Sequence, residues 1–99
     1  MNIEPVRQRI RFRNYLITIH ATLRMEKRLI EPREIEEAIM EGEIIEEYPE
    51  DKYGASCLIY GRTKEGRHLH IQCSLPPMVW IITTYEPDPK EWLDYRKRR

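Results

Sequence analysis

Two of the three histidines, His68 and His70, stand two positions apart in a run that alternates polar and apolar residues. Side chains alternate between the two faces of a strand, so this spacing places both imidazoles on one face. Imidazole accepts or donates a proton near neutral pH. Arg62 follows the preceding strand-like run and Tyr85 ends the next one, so the two could add a cation and a hydroxyl. These residue types fit metal-independent phosphodiester cleavage, which needs a base, an acid and a cation beside the phosphate.

We therefore predict a catalytic set of His70, Tyr85 and Arg62. His70 would act as general base or acid, Tyr85 as a positioning or proton-transfer group, and Arg62 as a phosphate contact. A second set of cations and imidazoles, on a helix edge or on the same strand face, is predicted to bind RNA. This set comprises His20, Arg24, Arg28 and His68.

Each of these residues also has a structural interpretation. His20 could bond local backbone at a helix start, and His68 could be a solvent-exposed histidine after a turn. Tyr85 could be a half-buried strand aromatic whose hydroxyl is satisfied by backbone. Arg24 and Arg28 could form exposed ion pairs, which contribute only about 0–1 kcal/mol. Strand register decides whether the side chains converge.

Other kinds of site have weaker support. His20, His68 and His70 could form a three-histidine metal site, but a spacing of two guarantees only a shared face. The sequence has no glycine-rich phosphate loop, no G-x-S-x-G motif and no paired CxxC. We expect no metal and no cofactor. Cys57 and Cys73 have apolar neighbours and are predicted to be core residues.

The net charge is zero, yet the charge is unevenly distributed along the chain. Residues 1–30 hold seven basic and two acidic residues, whereas residues 31–51 hold ten acidic residues and one arginine. The acidic segment could simply be solvated, or a basic surface could meet a polyanion while the acidic segment faces away. No apolar run approaches the roughly 20 residues that span a bilayer. We therefore expect a soluble, cytoplasmic protein without membrane contact.

Hydrophobic spacing predicts three helices before the strands. The spacing of Ile3, Val6 and Ile10 indicates a short amphipathic helix. Residues 15–19 are β-branched and aromatic, which favours a strand. A core stripe of Ala21, Met25 and Leu29 then predicts a helix over residues 20–29. Pro32 suits the start of the next helix, whose inward residues are Ile35, Ala38 and Ile39, and Gly42 is predicted to close it in the left-handed conformation.

Four strand-like runs follow, at residues 43–48, 55–60, 67–73 and 78–85. Short turn-rich connections predict an antiparallel meander. In the third run Leu69, Ile71 and Cys73 alternate with polar residues, so we predict a sheet covered by the helix pair on one face only. Its core partners should be Met25, Leu29, Ile35 and Ile39. Residues 90–96 are predicted to form a terminal helix anchored by Trp92.

These elements predict one α+β domain over residues 1–99. A helix hairpin packs on one face of a four- to five-stranded antiparallel sheet, with short helices at both ends. The N-terminal helical segment covers residues 1–14, the core residues 15–92 and a basic tail residues 93–99.

The order of the motifs resembles a small prokaryotic family of unassigned function, grouped with toxins of the RelE, BrnT and MqsR kinds. The resemblance covers about residues 15–92. It rests on His20-Ala-x-x-Arg24-Met25-x-x-Arg28, Gly42-Glu-Ile-Ile-Glu-x-Tyr48-Pro49, Gly61-Arg62, Leu69-His70-Ile71 and Thr84-Tyr85-Glu86-Pro87-Asp88. It implies a RelE-like fold, an RNA target and a cognate antitoxin-like partner of the zinc-finger kind.

The leading hypothesis is a toxin–antitoxin-like, RNA-directed protein that is a weak or degenerate metal-independent ribonuclease. The alternative is a non-catalytic protein-interaction module in which acidic residues 31–47 recognise a basic partner. The sequence leaves the oligomeric state open.

Overall fold

A five-stranded sheet with helices on one face organises the protein, whose computed structural model describes residues 1–52 and 54–99. The architecture is α+β, as predicted. The helices and strands of the described residues are α1 Glu4–Arg11, β1 Leu16–Ile17, α2 Ile19–Arg28, α3 Pro32–Met40, β2 Glu43–Tyr48, β3 Ser56–Arg62, β4 His68–Ser74, β5 Trp80–Tyr85, β6 Trp92–Leu93 and β7 Lys97–Arg98.

The sheet order is β1-β5-β4-β3-β2. Strands β2 to β5 form the predicted antiparallel meander, while β1 pairs in parallel with β5, with Leu16 opposite Trp80. The predicted strand over residues 15–19 is shorter than expected because α2 begins at Ile19. Thr18 caps that helix, since its hydroxyl accepts the Ala21 backbone N–H at 2.9 Å.

The core lies between the sheet and the helices. Leu69, Ile71 and Cys73 are fully buried, as predicted, in one cluster that includes residues of all three helices. Leu29 is not part of it and is 81% exposed. It ends α2 in the left-handed conformation (φ 55°), so the helical stripe stops there and Ile30 is buried instead.

Helix α3 packs closely on β3. The Glu31 carboxylate accepts a backbone N–H in the first turn, and Glu34 accepts the Glu31 backbone N–H, which together form a capping box. The predicted left-handed conformation of Gly42 is wrong, because only Gly54 and Gly66 among the described glycines have positive φ. Gly42 is required by space: a Cβ there would lie 2.6 Å from the Ala38 carbonyl oxygen.

The opposite face of the sheet is partly covered, contrary to the predicted one-sided cover. Residues 92–98 form a β-hairpin of β6 and β7, called here the C-terminal hairpin, in place of the predicted helix over 90–96. Asp94 and Tyr95 have φ of 51° and 62°, the conformation of a type I′ turn. Trp92 is buried, as expected of an anchor.

Ion pairs and ring packing explain why this segment is not helical. Arg96 binds Glu43 at 2.8 Å and Arg98 binds Glu46 at 2.8 Å, which ties the C-terminal hairpin to β2. The Trp92 ring packs edge-on against His70, with centroids 4.5 Å apart. These tertiary contacts outweigh the weak helix propensity of the segment.

At the other end of the chain, α1 buries Val6 and Ile10 in the core, as predicted. Arg7 donates to the Ile39 and Gly42 carbonyl oxygens and so satisfies the end of α3. None of the helices in residues 1–52 and 54–99 is long and apolar enough to cross a membrane.

Candidate functional site

Strand register brings the predicted catalytic residues to one region of the helix-free face. His70 lies opposite Tyr60 on β3 and opposite Tyr85 on β5, and Arg62 lies opposite His68. Residues directly opposite in an antiparallel pair project from the same face. The predicted His70, Tyr85 and Arg62 therefore share a face with His68.

His70 is fully buried, and both ring nitrogens have partners. Its Nε2–H donates to the Tyr95 carbonyl oxygen at 2.6 Å. Nδ1 therefore accepts the Tyr85 hydroxyl proton, over 3.2 Å. Burial lowers the pKa of His70 despite the opposing bond to Tyr95, so the imidazole is neutral at pH 7. This hydrogen bond joins two residues of the predicted catalytic set, His70 and Tyr85.

His68 lies in a stack of rings. Its Nδ1 shares a hydrogen bond of 2.7 Å with the Tyr60 hydroxyl. Tyr95 stacks on the imidazole with centroids 3.9 Å apart and planes 8° from parallel. Burial, with the nearby cations Arg62 and Arg96, lowers the pKa of His68. His68 is half-buried under the C-terminal hairpin, which contradicts a freely exposed residue.

Arg62 is exposed at the end of β3 and has no hydrogen bond or ion pair within the described part of the chain. The guanidinium of Arg96 lies 4.8 Å from the Tyr60 ring centroid. The guanidinium of Arg98 lies 4.7 Å from the Trp92 ring centroid. The helix-free face therefore carries an aromatic cluster flanked by three cations. We define the aromatic cluster as Tyr60, His68, His70, Tyr85, Trp92 and Tyr95.

The remaining predicted RNA-binding residues lie on α2, which runs alongside β5. The Thr18 backbone N–H donates to the Ile81 carbonyl oxygen at 3.1 Å, and Arg28 Nη1 donates to that of Thr84 at 2.8 Å. Helix α2 therefore runs beside the edge of β5 that β1 leaves open. His20, Arg24 and Arg28, spaced four residues apart, lie on one side of this helix. We call these three residues the α2 stripe.

His20 and Arg24 are exposed, whereas Arg28 is half-buried. No contact with Glu31 or Glu34 involves Arg24 or Arg28, so the ion pairs considered from the sequence are absent from the described residues. Arg67 binds Glu34 instead, at 3.1 Å. Its guanidinium also donates to the Leu29 and Arg28 carbonyl oxygens, both at 2.8 Å.

An open groove of about 830 Å³ lies beside β4 and β5. His20 lies at its rim, and Trp80 and Ile82 line it with apolar surface. Its polar lining includes Gln72, whose amide donates to the Asp51 carboxylate over 3.4 Å. The α2 stripe therefore starts at this groove and ends level with Thr84, one residue before Tyr85.

Sequence reasoning missed Tyr60, Trp92 and Tyr95 as parts of the site. Tyr60 could have been found from the alternation of β3, because it is two residues from Arg62. Tyr95 carried no local signal, since its position depends on the turn of the C-terminal hairpin.

Two further kinds of group were considered from the sequence. In residues 1–52 and 54–99, no three His, Cys, Asp or Glu side chains are grouped so as to hold a metal ion. Cys57 and Cys73 are buried free thiols on the helix-covered face, with Sγ atoms 3.9 Å apart. They pack as core residues.

Comparison with known proteins places the chain in a family without assigning an activity. No curated protein and no solved structure showed significant similarity to it. The family with the description "Domain of unknown function (DUF4258)" matches residues 17–86, from β1 to the end of β5. This match contains the predicted catalytic residues and leaves α1 and the C-terminal hairpin outside. Because it spans most of the chain, the protein belongs to the DUF4258 family.

Proposed function

We propose that this protein binds RNA along the α2 stripe and cleaves it, without a metal, at His70 and Tyr85. The observation that carries the proposal is the alignment of α2 with the open edge of β5. This alignment directs the α2 stripe towards the strand end where the Tyr85 hydroxyl meets His70. The sequence motifs resemble a family that is grouped with toxins of the RelE, BrnT and MqsR kinds, and this resemblance motivates the proposal.

The α2 stripe has the chemistry of a phosphate-binding surface. Arg24 has no hydrogen-bond or ion-pair partner in the described residues, and neither does the neighbouring Lys27. Arginine and lysine side chains are among the groups that make the phosphate contacts that position a nucleic acid. By contrast, the acidic segment is largely bound by arginines of this chain, as in the pair of Arg67 and Glu34. Repulsion of RNA by that segment is therefore reduced.

The chemistry requires a base, an acid and a cation. A neutral His70 removes the proton of a ribose 2′-hydroxyl, whose oxygen attacks the adjacent phosphorus. The bond from phosphorus to the 5′-oxygen breaks, and that oxygen receives a proton from the Tyr85 hydroxyl. His70 then returns the proton that it removed to the Tyr85 oxygen across their hydrogen bond, which restores both groups. Arg62 neutralises the negative charge that accumulates on the phosphate. Trp92 and Tyr95 cover His70 in this structure, so cleavage requires the C-terminal hairpin to move.

Binding is tested with Arg24→Glu and the matched control Arg11→Glu. Both arginines are exposed, but Arg11 lies on α1, away from β5. We expect Arg24→Glu to weaken the binding of a short RNA about tenfold or more and to reduce its salt dependence, because a phosphate contact is lost. Fluorescence anisotropy at several salt concentrations measures both. Equal weakening by the two variants would rule out the α2 stripe as the binding surface.

Cleavage is tested with the purified protein in the presence of a chelator. The expected product is a 2′,3′-cyclic phosphate, because the attacking hydroxyl belongs to the substrate. His70→Ala should lower the rate by roughly 10²–10⁴-fold, the range for loss of an acid–base group. Tyr85→Phe keeps the ring and should also lower the rate. A wild-type rate in folded His70→Ala would exclude His70 from the reaction.

A non-catalytic protein-interaction module is the second candidate. It is favoured by the complete burial of His70 and by exposed apolar residues around β1. Leu16, Ile19 and Leu23 are all exposed, although large apolar patches are uncommon on monomers. An antitoxin-like partner would cover them. Failure of the wild-type protein to bind or cleave RNA at low salt would favour this candidate.

A further inference from the structure

We infer that Tyr60, His68 and His70 form a binding site for an unpaired base of single-stranded RNA, and that Tyr95 occupies this site in the free protein. The inference rests on the proposed function, because the site lies on the same face. It adds the substrate class, single-stranded RNA, and a reason for the covered state of His70.

Ring geometry gives the first support. The Tyr95 ring is within 8° of parallel to His68 and within 7° of parallel to Tyr60, with centroids 3.9 Å and 5.6 Å away. A flat ring at this position makes the contacts that a stacked nucleobase would make. Stacking on aromatic side chains is tolerant of sequence, because every base has a flat π-face. Tyr95 thus marks the shape of a ligand that this surface accepts.

Polar groups around the Tyr95 ring give the second support. The His70 Nε2–H donates to the Tyr95 carbonyl oxygen. If that oxygen leaves, a buried donor loses its partner, which is unfavourable unless another acceptor replaces it. Nucleobases carry carbonyl oxygens and ring nitrogens that can do so. Arg62 is free of ion pairs in the described residues and can bind the attached phosphate.

The way in which the C-terminal hairpin is attached gives the third support. It forms a separate two-stranded sheet and adds no strand to the main sheet. The ion pair of Arg96 with Glu43 is solvent-exposed, and such pairs are weak. In the pair of Arg98 with Glu46 the arginine is exposed and the carboxylate is half-buried. The family match ends at Glu86, so Tyr60, His68 and His70 lie inside the family segment and Tyr95 lies outside it.

The test removes the Tyr95 ring while preserving the turn. Tyr95→Gly suits the positive φ of this position, because Asp-Gly is a favoured sequence for a type I′ turn. An intramolecular competitor lowers apparent affinity by the fraction of sites left open. We therefore expect Tyr95→Gly to tighten binding of an unstructured single-stranded RNA about tenfold. Binding of a duplex of equal length should not change.

The matched control is Asp94→Gly, which relaxes the same turn and keeps the Tyr95 ring. It should bind RNA like the wild type. Adding His68→Ala to Tyr95→Gly should abolish the gain, because one stacking surface is lost. Thermal unfolding of each variant verifies that the domain is folded.

The outcomes separate this inference from the proposed function. If Tyr95→Gly does not tighten binding, while wild-type binding still depends on Arg24, the inference is wrong and the RNA-binding surface stands. An equal gain for duplex RNA, or an equal gain in Asp94→Gly, would also overturn it. If neither the wild type nor Tyr95→Gly binds RNA at low salt, the proposed function and the inference both fail.

Discussion

His70 shows how burial and two hydrogen bonds define the state of one side chain. The Tyr95 carbonyl oxygen can only accept, so it fixes the proton on Nε2 and leaves Nδ1 to accept from Tyr85. Alternation in the sequence put His70 on the polar face of its strand and Tyr85 at the end of the next run, but it did not give the register that pairs them. It could not indicate the cover by Tyr95, which depends on the turn of a distant hairpin.

This burial predicts a pH dependence of stability. Burial lowers the pKa of His70 and of His68 in the folded state, so the unfolded chain binds protons first as the pH falls. The free energy of unfolding should therefore decrease as the pH falls below about 6.5, the unperturbed value. Urea denaturation at pH 7 and pH 5.5 measures the decrease.

The matched variant for this prediction is His70→Phe, which removes one of the two titrating groups and keeps an aromatic ring. It should be less stable at both pH values, because the Tyr95 carbonyl oxygen loses its donor. Its decrease between the two pH values should be smaller than that of the wild type. An undiminished decrease would show that His70 does not contribute.

Among the elements, local patterns predicted strands β2 to β5. They did not predict how α2 ends or the conformation of the last segment. Alternation and turn composition located the four strands to within two residues of their ends. Leu29 continued the helical period in sequence but adopts a left-handed conformation, so Ile30 is buried in its place. The segment 90–96 has helix-forming residues, yet contacts of Trp92 and Arg96 with the sheet favour a hairpin.

The contact between α3 and β3 predicts an intolerance of side chains at Gly61. A Cβ at this position would lie 1.9 Å from the Ala38 carbonyl oxygen, which is backbone and cannot move aside. Gly61→Ala should lower the free energy of unfolding by about 3 kcal/mol, near the upper end of the range for overpacking. Thermal or urea unfolding tests it. The neighbouring Arg62→Ala should change stability by less than about 0.5 kcal/mol, as is usual for exposed sites.

On the scale of the whole molecule, segments outside the family match complete the structure on both faces. Helix α1 covers one side of the core and the C-terminal hairpin covers the aromatic cluster. The unevenly distributed charges of the chain also join separate segments. Acidic residues of 31–51 pair with arginines from elsewhere, including Arg67, Arg96 and Arg98. Neither of the two interpretations drawn from the charge pattern described this internal pairing.

Because α1 packs into the core, we expect different effects from truncating two apolar residues, Ile10 in the helix and Phe12 at its C-terminal end. Ile10 is 2% exposed, so Ile10→Ala should lower the free energy of unfolding by about 2–5 kcal/mol through lost burial and a cavity. Phe12 is 77% exposed, and Phe12→Ala should have little effect. Chemical denaturation of both variants measures the difference. Similar stability of the two variants would mean that α1 is not part of the folded core.

The two edges of the five-stranded sheet bear on aggregation. An exposed edge offers unpaired backbone groups to which another chain can add. At one edge, β1 has only two residues before α2 begins. At the other, β2 carries Glu43, Glu46 and Glu47 and is interrupted by a bulge between Ile44 and Glu46. Short length, negative charge and a bulge each oppose edge-to-edge pairing, so this apolar-cored sheet is protected from growing into intermolecular β-structure.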